Sequence, residues 1–198
     1  MRILVTGASG LLGLNFCLKY AHEHALSGVV NRRSLQDAPF PSLALDLTDG
    51  DALKKLLDEK QPEYLIHCAA MADVDRCERD PEEAWRINAQ APAQLANLCA
   101  ERNIGFLHVS TDAVFDGERG SYTEEDQPHP LSVYARTKLE GEQGVLVANS
   151  HALVIRVNFY GFSLSGSRSL AEFFLYNLLE GRQIKGFTDV HFCPLYVG

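Results

Sequence analysis

The sequence has few basic residues and lacks any long apolar run. Lys and Arg together number 18 against 26 Asp and Glu, so the formal net charge is −8. A nucleic acid requires a basic face on its partner, and this balance therefore argues against nucleic acid. A membrane-spanning helix needs about 20 mostly apolar residues, and the sequence contains no such run. Since the first residues already resemble a strand, we also expect no signal or transit peptide and no membrane partner.

Cysteine is scarce and unpatterned. The five cysteines are odd in number, and no two of them form a Cys-x-x-Cys pair. A disulfide framework needs an even set and a zinc site needs closely spaced ligands, so neither is predicted. The histidines likewise show no ligand spacing, and we predict no metal. Free thiols are typical of a reducing compartment, which predicts a cytoplasmic protein.

What the sequence does contain is a regular alternation of short apolar runs and longer amphipathic stretches. Strands are predicted at 3–5, 28–30, 43–45, 64–67, 106–109 and 153–155, and helices at 11–18, 49–60, 81–102, 132–147 and 169–180. The strands show no in–out alternation, as expected when helices cover both faces of a parallel sheet. In the long helix, Trp85, Ile87, Leu95 and Leu98 are expected to face inward. The sequence thus predicts an α/β protein with a doubly wound parallel sheet, the Rossmann fold.

A glycine-rich turn, Thr6 to Gly13, joins the first strand to the first helix. Gly7 permits the tight turn, Gly10 allows the backbone to approach a pyrophosphate, and Gly13 lets the helix pack on the strand. The pyrophosphate would lie on the helix N-terminus, where free N–H groups and the helix dipole favour an anion. Directly after a first strand, this turn predicts a dinucleotide cofactor.

The end of the second strand bears on which dinucleotide is bound. NAD-specific sites usually place an Asp or Glu there, which bonds the adenine ribose hydroxyls and repels a 2′-phosphate. Here Asn31 stands at that position, followed by Arg32 and Arg33. Asn31 carries no charge to repel a phosphate, and either arginine can offer it a forked pair of donors. The pattern favours NADP(H) and leaves NAD(H) open.

Tyr134 and Lys138 are four residues apart, which places a phenol and an ammonium on one face of a helix. A tyrosine hydroxyl has an unperturbed pKa of about 10, too high for efficient proton transfer near neutrality. A neighbouring cation, joined by the positive nicotinamide of the oxidised cofactor, favours the phenolate, so we expect the two together to lower the pKa of Tyr134. The pair predicts proton transfer by Tyr134, with Lys138 also able to hold ribose hydroxyls.

The Gly-x-x-Gly-x-x-Gly spacing of the turn resembles that of the extended short-chain dehydrogenase/reductase family. The resemblance implies that Thr111, at the end of the fifth strand, orients the substrate carbonyl beside Tyr134 and Lys138. It also places Asp46 beside the adenine, the 68–70 segment beside the ribose, and Asn88 as a brace of the sheet. The implied cofactor-binding residues are Gly7, Ser9, Gly10, Leu11, Leu12, Gly13, Asn31, Arg32, Arg33, Asp46, Leu47, Cys68, Ala69, Ala70, Asn88, Tyr134 and Lys138.

The block at 109–117, followed by 122–126 and 130–134, resembles the dTDP-4-dehydrorhamnose reductase branch of that family. This resemblance implies hydride delivery to the 4-keto carbon of a nucleotide-linked deoxysugar. Ala113 departs from the branch, which commonly has an aromatic residue there. The branch also has longer chains, so we expect residues 1–160 to form the dinucleotide-binding domain and residues 161–198 to begin an incomplete substrate lobe.

Two other functions share the fold and remain open at this point. One is that of a non-catalytic dinucleotide-binding regulatory subunit, such as the β-subunit of methionine adenosyltransferase, which shares much of the 109–134 block. The other is an NAD-dependent sugar-nucleotide epimerase, which uses the same three catalytic residue types. A homodimer is also left open. The retained Thr111, Tyr134 and Lys138 favour the reductase.

Overall fold

The computed structural model describes residues 1–32, 35–163, 165–166, 169–186, 188–189 and 193–198. Its main sheet has six strands: β1 (Arg2–Thr6), β2 (Ala25–Val30), β3 (Ser42–Ala44), β4 (Tyr64–His67), β5 (Gly105–Ser110) and β6 (Leu153–Arg156). The spatial order is β3-β2-β1-β4-β5-β6, and every neighbouring pair is parallel. This is the strand order of a doubly wound sheet, and the predicted fold class is confirmed.

Helices follow most of these strands, although the described residues between β2 and β3 form no helix. The helices are α1 (Leu11–Tyr20), α2 (Gly50–Lys60), α3 (Val74–Arg79), α4 (Pro81–Trp85), α5 (Ala91–Glu101), α6 (Val133–Ala148) and α7 (Leu170–Leu179). A π turn (Arg86–Gln90) joins α4 to α5, and a 3-10 turn (Asp112–Val114) follows β5. Two further strands, β7 (Phe159–Tyr160) and β8 (Leu195–Tyr196), pair in parallel as a separate small sheet.

The core lies on both faces of the main sheet, because successive strand residues point to opposite sides. Leu4 packs with apolar residues of α2 and α5, including Leu57 and Leu95. Its neighbour Val5 packs on the other face with Leu14 of α1. Both faces are therefore apolar, which explains why the strands appear in the sequence as continuous apolar runs.

The predicted strands and helices agree with the structure to within a few residues, with three differences. The long helix is continuous but contains the π turn at its centre. Trp85 was expected to face inward, and this prediction is wrong: its side chain is 44% exposed, since the neighbouring Ala84 takes the buried face. The pattern also gave no sign of the short helix α3. No helix among the described residues is long and apolar enough to cross a membrane.

Candidate nucleotide and catalytic site

All six parallel strands end at the same edge of the sheet, and that edge collects the candidate residues. β1 and β4 are adjacent in the sheet although 58 residues separate Thr6 from Tyr64 in the sequence. The chain order reverses between these two strands, and open α/β sheets bind ligands in the crevice at such a point. The glycine turn follows β1 and the 68–70 segment follows β4, so both border this crevice.

The glycine turn has the close approaches that its spacing predicts. Gly7 adopts φ +70°, and a Cβ added there would lie 2.7 Å from the backbone nitrogen of Ala69. A Cβ on Gly13 would lie 2.5 Å from the Gly7 carbonyl oxygen. The Gly10 N–H donates to the Gly7 carbonyl oxygen at 2.8 Å and closes the turn. Any larger side chain at Gly7 or Gly13 would push apart the turn, α1 and the 68–70 segment.

The N-terminus of α1 points out of this turn. Gly10 is its N-cap, no side chain caps it, and its first turn carries no acidic residue. Leu11 and Leu12 open the helix, with Ser9 just before them in the turn. The orphan N–H groups of a helix start and its dipole favour an anion. The local structure therefore fits the pyrophosphate position predicted for these residues, and their contact with a cofactor stays a prediction.

The residues predicted to bind the adenosine end lie after β2 and β3. Asn31 and Arg32 are exposed immediately beyond β2, and Arg33 lies outside the described residues. Asp46 is exposed beyond β3, where its carboxylate accepts from the Thr48 N–H at 2.9 Å and the Thr48 hydroxyl at 2.8 Å. The backbone hydrogen bond from Thr48 is the main reason why the pKa of Asp46 is lowered. Leu47 packs against the core.

Thr111 and Tyr134 meet at the end of β5. Thr111 is buried and extended, and its Oγ1 accepts from the Ala113 N–H at 3.2 Å, which starts the 3-10 turn. Tyr134 lies in the first turn of α6, and the Val133 N–H beside it donates to the Glu78 carboxylate of α3 at 2.8 Å. The Thr111 side chain is close enough to the Tyr134 hydroxyl to act to lower the pKa of Tyr134. The structure thus brings together the two hydroxyls predicted to surround a substrate carbonyl.

Lys138 lies one helical turn further along α6 and is fully buried. Its Nζ donates to the Val109 carbonyl oxygen at 2.7 Å and lies 3.4 Å from Nε2 of His108. Burial lowers the pKa of Lys138 to about 8, and the charge of Glu142 opposes this effect. An amine with this pKa is still mostly protonated at neutral pH.

Lys138 by itself does not lower the pKa of Tyr134, and the effect expected of a bound oxidised nicotinamide stays a prediction. The pKa of Tyr134 is raised, mainly by burial, and the interaction with Thr111 only partly opposes this. The physical reason is that the Lys138 ammonium is directed to Val109 and His108 of β5. Tyr134 therefore keeps its proton at neutral pH, the state required of a proton donor.

Asn88 is buried in the π turn, and its amide joins three parts of the site. Its Oδ1 accepts from the Met71 N–H at 2.8 Å, and its Nδ2 donates to the Met71 carbonyl oxygen and to Thr137 Oγ1, both at 3.1 Å. Met71 follows the ribose-side segment, and Thr137 adjoins Lys138. Asn88 thus braces α6 against the end of β4, as the resemblance implies, and a direct contact with cofactor stays a prediction.

A buried carboxylate on α6 was not found from the sequence. Glu142 accepts from the Ser110 hydroxyl at 2.5 Å and from Arg156 Nε and Nη2, the shortest at 2.7 Å. The Arg156 guanidinium lies over the Phe115 ring, 5.1 Å from its centroid. This network fixes the segment on either side of Thr111. Its only sequence signal was the repeated spacing of four that relates Tyr134, Lys138 and Glu142.

Phe115 extends this network into the following loop. Its ring stacks on Tyr122 with centroids 4.4 Å apart, and the Tyr122 hydroxyl donates to the Asp116 carboxylate at 2.5 Å. Arg119 lies over the Tyr122 ring, 5.1 Å from its centroid, and pairs with Asp126. The loop between β5 and α6 is therefore held by side chains, although Gly, Pro and charge dominate its sequence.

The remaining predicted residues border the ribose side of the crevice. Cys68, Ala69 and Ala70 follow β4, and the Cys68 N–H donates to the Thr6 carbonyl oxygen at 3.2 Å. Burial raises the pKa of the Cys68 thiol to about 12, so the thiol is neutral. This segment presents backbone and small side chains to the crevice, which suits a close approach by a flat ligand.

The chain is similar in sequence to proteins of known description. A probable low-salt glycan biosynthesis reductase of Haloferax volcanii is 38% identical over all of this chain and 67% of its own length. The β-subunit of rat methionine adenosyltransferase 2 is 37% identical over 79% of this chain and 46% of its own. The chain thus spans about half to two thirds of the length of the curated relatives it matches.

The chain is also similar to solved structures of reductases. A hypothetical dTDP-4-dehydrorhamnose reductase from Sulfolobus tokodaii superposes with a TM-score of 0.88 at 34% identity, over 100% of this chain and 68% of that one. A dTDP-4-dehydrorhamnose reductase from Bacillus anthracis, solved in complex with NADP, gives a TM-score of 0.69 at 27% identity, over 82% and 56%. The family model described as the RmlD substrate binding domain matches residues 1–198. The chain therefore belongs to the RmlD substrate binding domain family, within the reductase branch that its 109–134 block resembles.

Proposed function

We propose that this chain is the nucleotide-binding and catalytic part of an NAD(P)H-dependent reductase that acts on the 4-keto group of a nucleotide-linked deoxysugar. The observation that carries the proposal is the meeting of Thr111 and Tyr134 at the end of β5. Tyr134 is neutral there and can donate a proton, and Lys138 lies one turn further along the same helix. The relatives described as reductases support the reaction class.

The residues of the crevice fit a dinucleotide. The turn is packed so closely on its own backbone that neither Gly7 nor Gly13 could carry a Cβ, and the start of α1 beyond Gly10 offers N–H groups to a pyrophosphate. When bound, the reduced nicotinamide supplies the hydride. The chain itself supplies the rest: Thr111 holds the carbonyl oxygen, Tyr134 donates the proton to it, and Lys138 holds the ribose hydroxyls.

We propose NADP(H) as the preferred cofactor, with NAD(H) use left open. Asn31 places no negative charge against a 2′-phosphate, and Arg32 is exposed beside it. The Bacillus anthracis reductase was solved with NADP, which supports the same preference. The substrate partner is then a small nucleotide sugar. A homodimer and a cytoplasmic location stay predictions, the second supported by five cysteines that are all free.

We further propose that residues 1–160 form the nucleotide-binding domain and that residues 161–198 belong to the substrate lobe. α7 is apolar around most of its circumference, and Leu178 and Leu179 are 65% and 73% exposed. A helix of this kind is normally buried by further polypeptide. The relatives are longer than this chain, which is consistent with a larger lobe packed on α7.

The reaction is tested by following NADPH oxidation with a panel of dTDP- and UDP-linked 4-keto-6-deoxy sugars. The enzyme is this chain joined to the C-terminal third of the Haloferax volcanii relative, so that a substrate lobe is present. We expect turnover with at least one 4-keto sugar. Tight NADPH binding without turnover on any sugar would contradict the proposal.

The second candidate is a non-catalytic regulatory subunit, which the rat methionine adenosyltransferase relative favours. The two functions differ in what the catalytic residues must do. A regulatory subunit needs the crevice but not the proton of Tyr134. Binding to a methionine adenosyltransferase catalytic subunit that persists in Tyr134→Phe, together with no reductase turnover, would favour this candidate.

A further inference from the structure

Two buried histidines, His67 and His108, have no part in the proposed function. They face each other across β4 and β5, where His67 is the register partner of His108. Their rings stack with centroids 5.3 Å apart and an interplanar angle of 20°. Both side chains are almost completely excluded from solvent. The pair lies directly beneath the end of β5 that carries Ser110 and Thr111.

Hydrogen bonds tie this pair to the site at both ends. Nδ1 of His67 lies 2.7 Å from the Thr6 hydroxyl, at the residue before the glycine turn. Nε2 of His108 lies 3.4 Å from Nζ of Lys138. The other two ring nitrogens, His67 Nε2 and His108 Nδ1, have no hydrogen-bond partner among the described residues. A purely packing role would be met by Phe or Leu without leaving buried polar atoms unpartnered.

The protonation states fit an acceptor role for His108. Burial is the main cause that lowers the pKa of both rings, that of His67 to about 3, and the charge of Lys138 lowers each further. Both imidazoles are therefore neutral at physiological pH. A neutral imidazole has one nitrogen that accepts a hydrogen bond, and an ammonium can only donate.

We propose that His108 is a positioning residue for Lys138: its Nε2 accepts from the Lys138 ammonium and, with the Val109 carbonyl, fixes Nζ so that its third proton is left for a ligand. The stack on His67, which Thr6 holds, fixes the His108 ring in turn. The inference rests on the proposed function only in assigning that ligand to the ribose of a dinucleotide.

Several groups besides His108 influence the pKa of Lys138, and they remain in place when His108 is replaced. Glu142, four residues along α6, and Cys68, after β4, both raise its pKa, whereas burial lowers it. Tyr134 lies one turn back on α6, and Arg156 of β6 pairs with Glu142. With His108 replaced by Phe, these groups stay but the ammonium keeps only the Val109 carbonyl as an acceptor. Its protonated form is then less stable, so its pKa falls further.

The first test needs no nucleotide. Lysine labelled with 13C at Cε is titrated by NMR, and the Lys138 signal is assigned by its loss in Lys138→Arg. We expect His108→Phe to lower the Lys138 pKa by about one unit, since a desolvated cation has lost an acceptor. His67→Phe is the matched control: it keeps an aromatic ring stacked on His108, removes only the hydrogen bond to Thr6, and should leave the Lys138 pKa in place. His108→Gln, which retains an acceptor, should return the Lys138 pKa most of the way to its wild-type value.

The second test measures NADPH affinity against pH. Affinity falls as pH rises through the Lys138 pKa, because the neutral amine donates poorly. The Lys138 pKa is about 8 and is expected to fall by about one unit in His108→Phe. This variant should then bind NADPH as wild type does at pH 6, about twofold more weakly at pH 7 and about fivefold more weakly at pH 8. A merely structural defect would weaken binding equally at every pH.

The outcomes separate this inference from the proposed function. An unshifted Lys138 pKa in His108→Phe, or an equal shift in His67→Phe, overturns the positioning role. A shifted pKa in a protein that binds no dinucleotide at any pH supports the positioning role and overturns the proposed function instead. If His108→Phe does not fold, His108→Leu removes the acceptor in its place, and His108→Gln remains the variant that retains it.

Discussion

At the scale of single residues, the site consists of groups whose charge is set by burial. Tyr134 is neutral because burial raises the pKa of its phenol, and Lys138 is close to deprotonation because burial lowers the pKa of its amine. A neutral phenol suits proton donation to a carbonyl that receives hydride. A protonated Tyr134 is therefore consistent with the proposed reductive direction.

Replacing Tyr134 with Phe should abolish reduction while leaving nucleotide affinity nearly unchanged. The ring still packs beside Val133, but the transferable proton is gone. Removal of a general acid is expected to cost about 10²-fold or more in turnover. Steady-state oxidation of NADPH with the preferred sugar, alongside calorimetric titration of NADPH, measures both quantities. Turnover within a few-fold of the unmodified protein would contradict the assignment of Tyr134.

Cofactor preference is expected to depend on Arg32. Its exposed guanidinium follows Asn31 at the end of β2, where a 2′-phosphate would lie. Arg32→Ala should weaken NADPH binding about tenfold, since one charge-assisted contact contributes about 1.5 kcal/mol, and leave NADH binding within about twofold. Lys19→Ala, which removes a cation in the last turn of α1, is the control. Equal affinities for NADPH and NADH in wild type, unchanged by Arg32→Ala, would disprove the preference.

At the scale of elements, the packing of the interrupted long helix on α6 determines where Tyr134 and Lys138 lie. Pro92 has no N–H and its ring would meet the Asn88 carbonyl in a regular helix, so the chain widens into the π turn. The Ala91 N–H bonds instead to the Arg86 carbonyl. The Asn88 carbonyl oxygen then lies against Gly141 of α6, where an added Cβ would be only 2.2 Å from it.

Gly141→Ala should therefore separate α6 from the π turn. The atom that the new methyl meets is backbone and cannot swing aside, so a loss of about 1–3 kcal/mol in the free energy of unfolding is expected from overpacking. Urea unfolding followed by circular dichroism measures it. Gly50→Ala is a matched control at the start of α2, because the atom it meets is the mobile amide of Gln94. A Gly141→Ala protein as stable as the control would refute the close packing described for α6.

At the scale of the whole molecule, the crevice and Tyr134, the proposed proton donor, fall in the proposed nucleotide-binding domain of residues 1–160, whereas the wall facing the sugar is expected from the proposed substrate lobe. The apolar α7 is the described surface best suited to carry that lobe. Nucleotide binding and turnover should accordingly be separable, because they depend on different parts of the longer relatives.

We expect residues 1–198 alone to bind NADPH within about threefold of the chimera with the Haloferax volcanii C-terminal third, yet to show little reductase activity. The glycine turn and ribose side are present in both proteins, whereas water is excluded from the reacting atoms only when the lobe covers them. Calorimetry measures NADPH affinity and the oxidation assay measures turnover for the two proteins. Equal turnover by both would show that the substrate site lies wholly within residues 1–198.

The sequence by itself determined the fold class, the strand positions and the presence of the nucleotide turn. Strands covered on both faces need continuous apolar residues. A turn such as that at Gly7 needs a residue that tolerates positive φ. Both requirements are local, so both are visible in the sequence. Tyr134 and Lys138 were found for the same reason, since their spacing of four is a property of one helix.

Only the tertiary structure decided the charge states and the supports of the site. The pairing of His67 with His108 depends on the register between β4 and β5, and that of Glu142 with Arg156 depends on how α6 packs on β6. The pKa of Tyr134 rises rather than falls because α6 buries the phenol and aims the Lys138 ammonium at the sheet. Burial and contacts between distant segments have no local signal, because they arise only when the elements pack together.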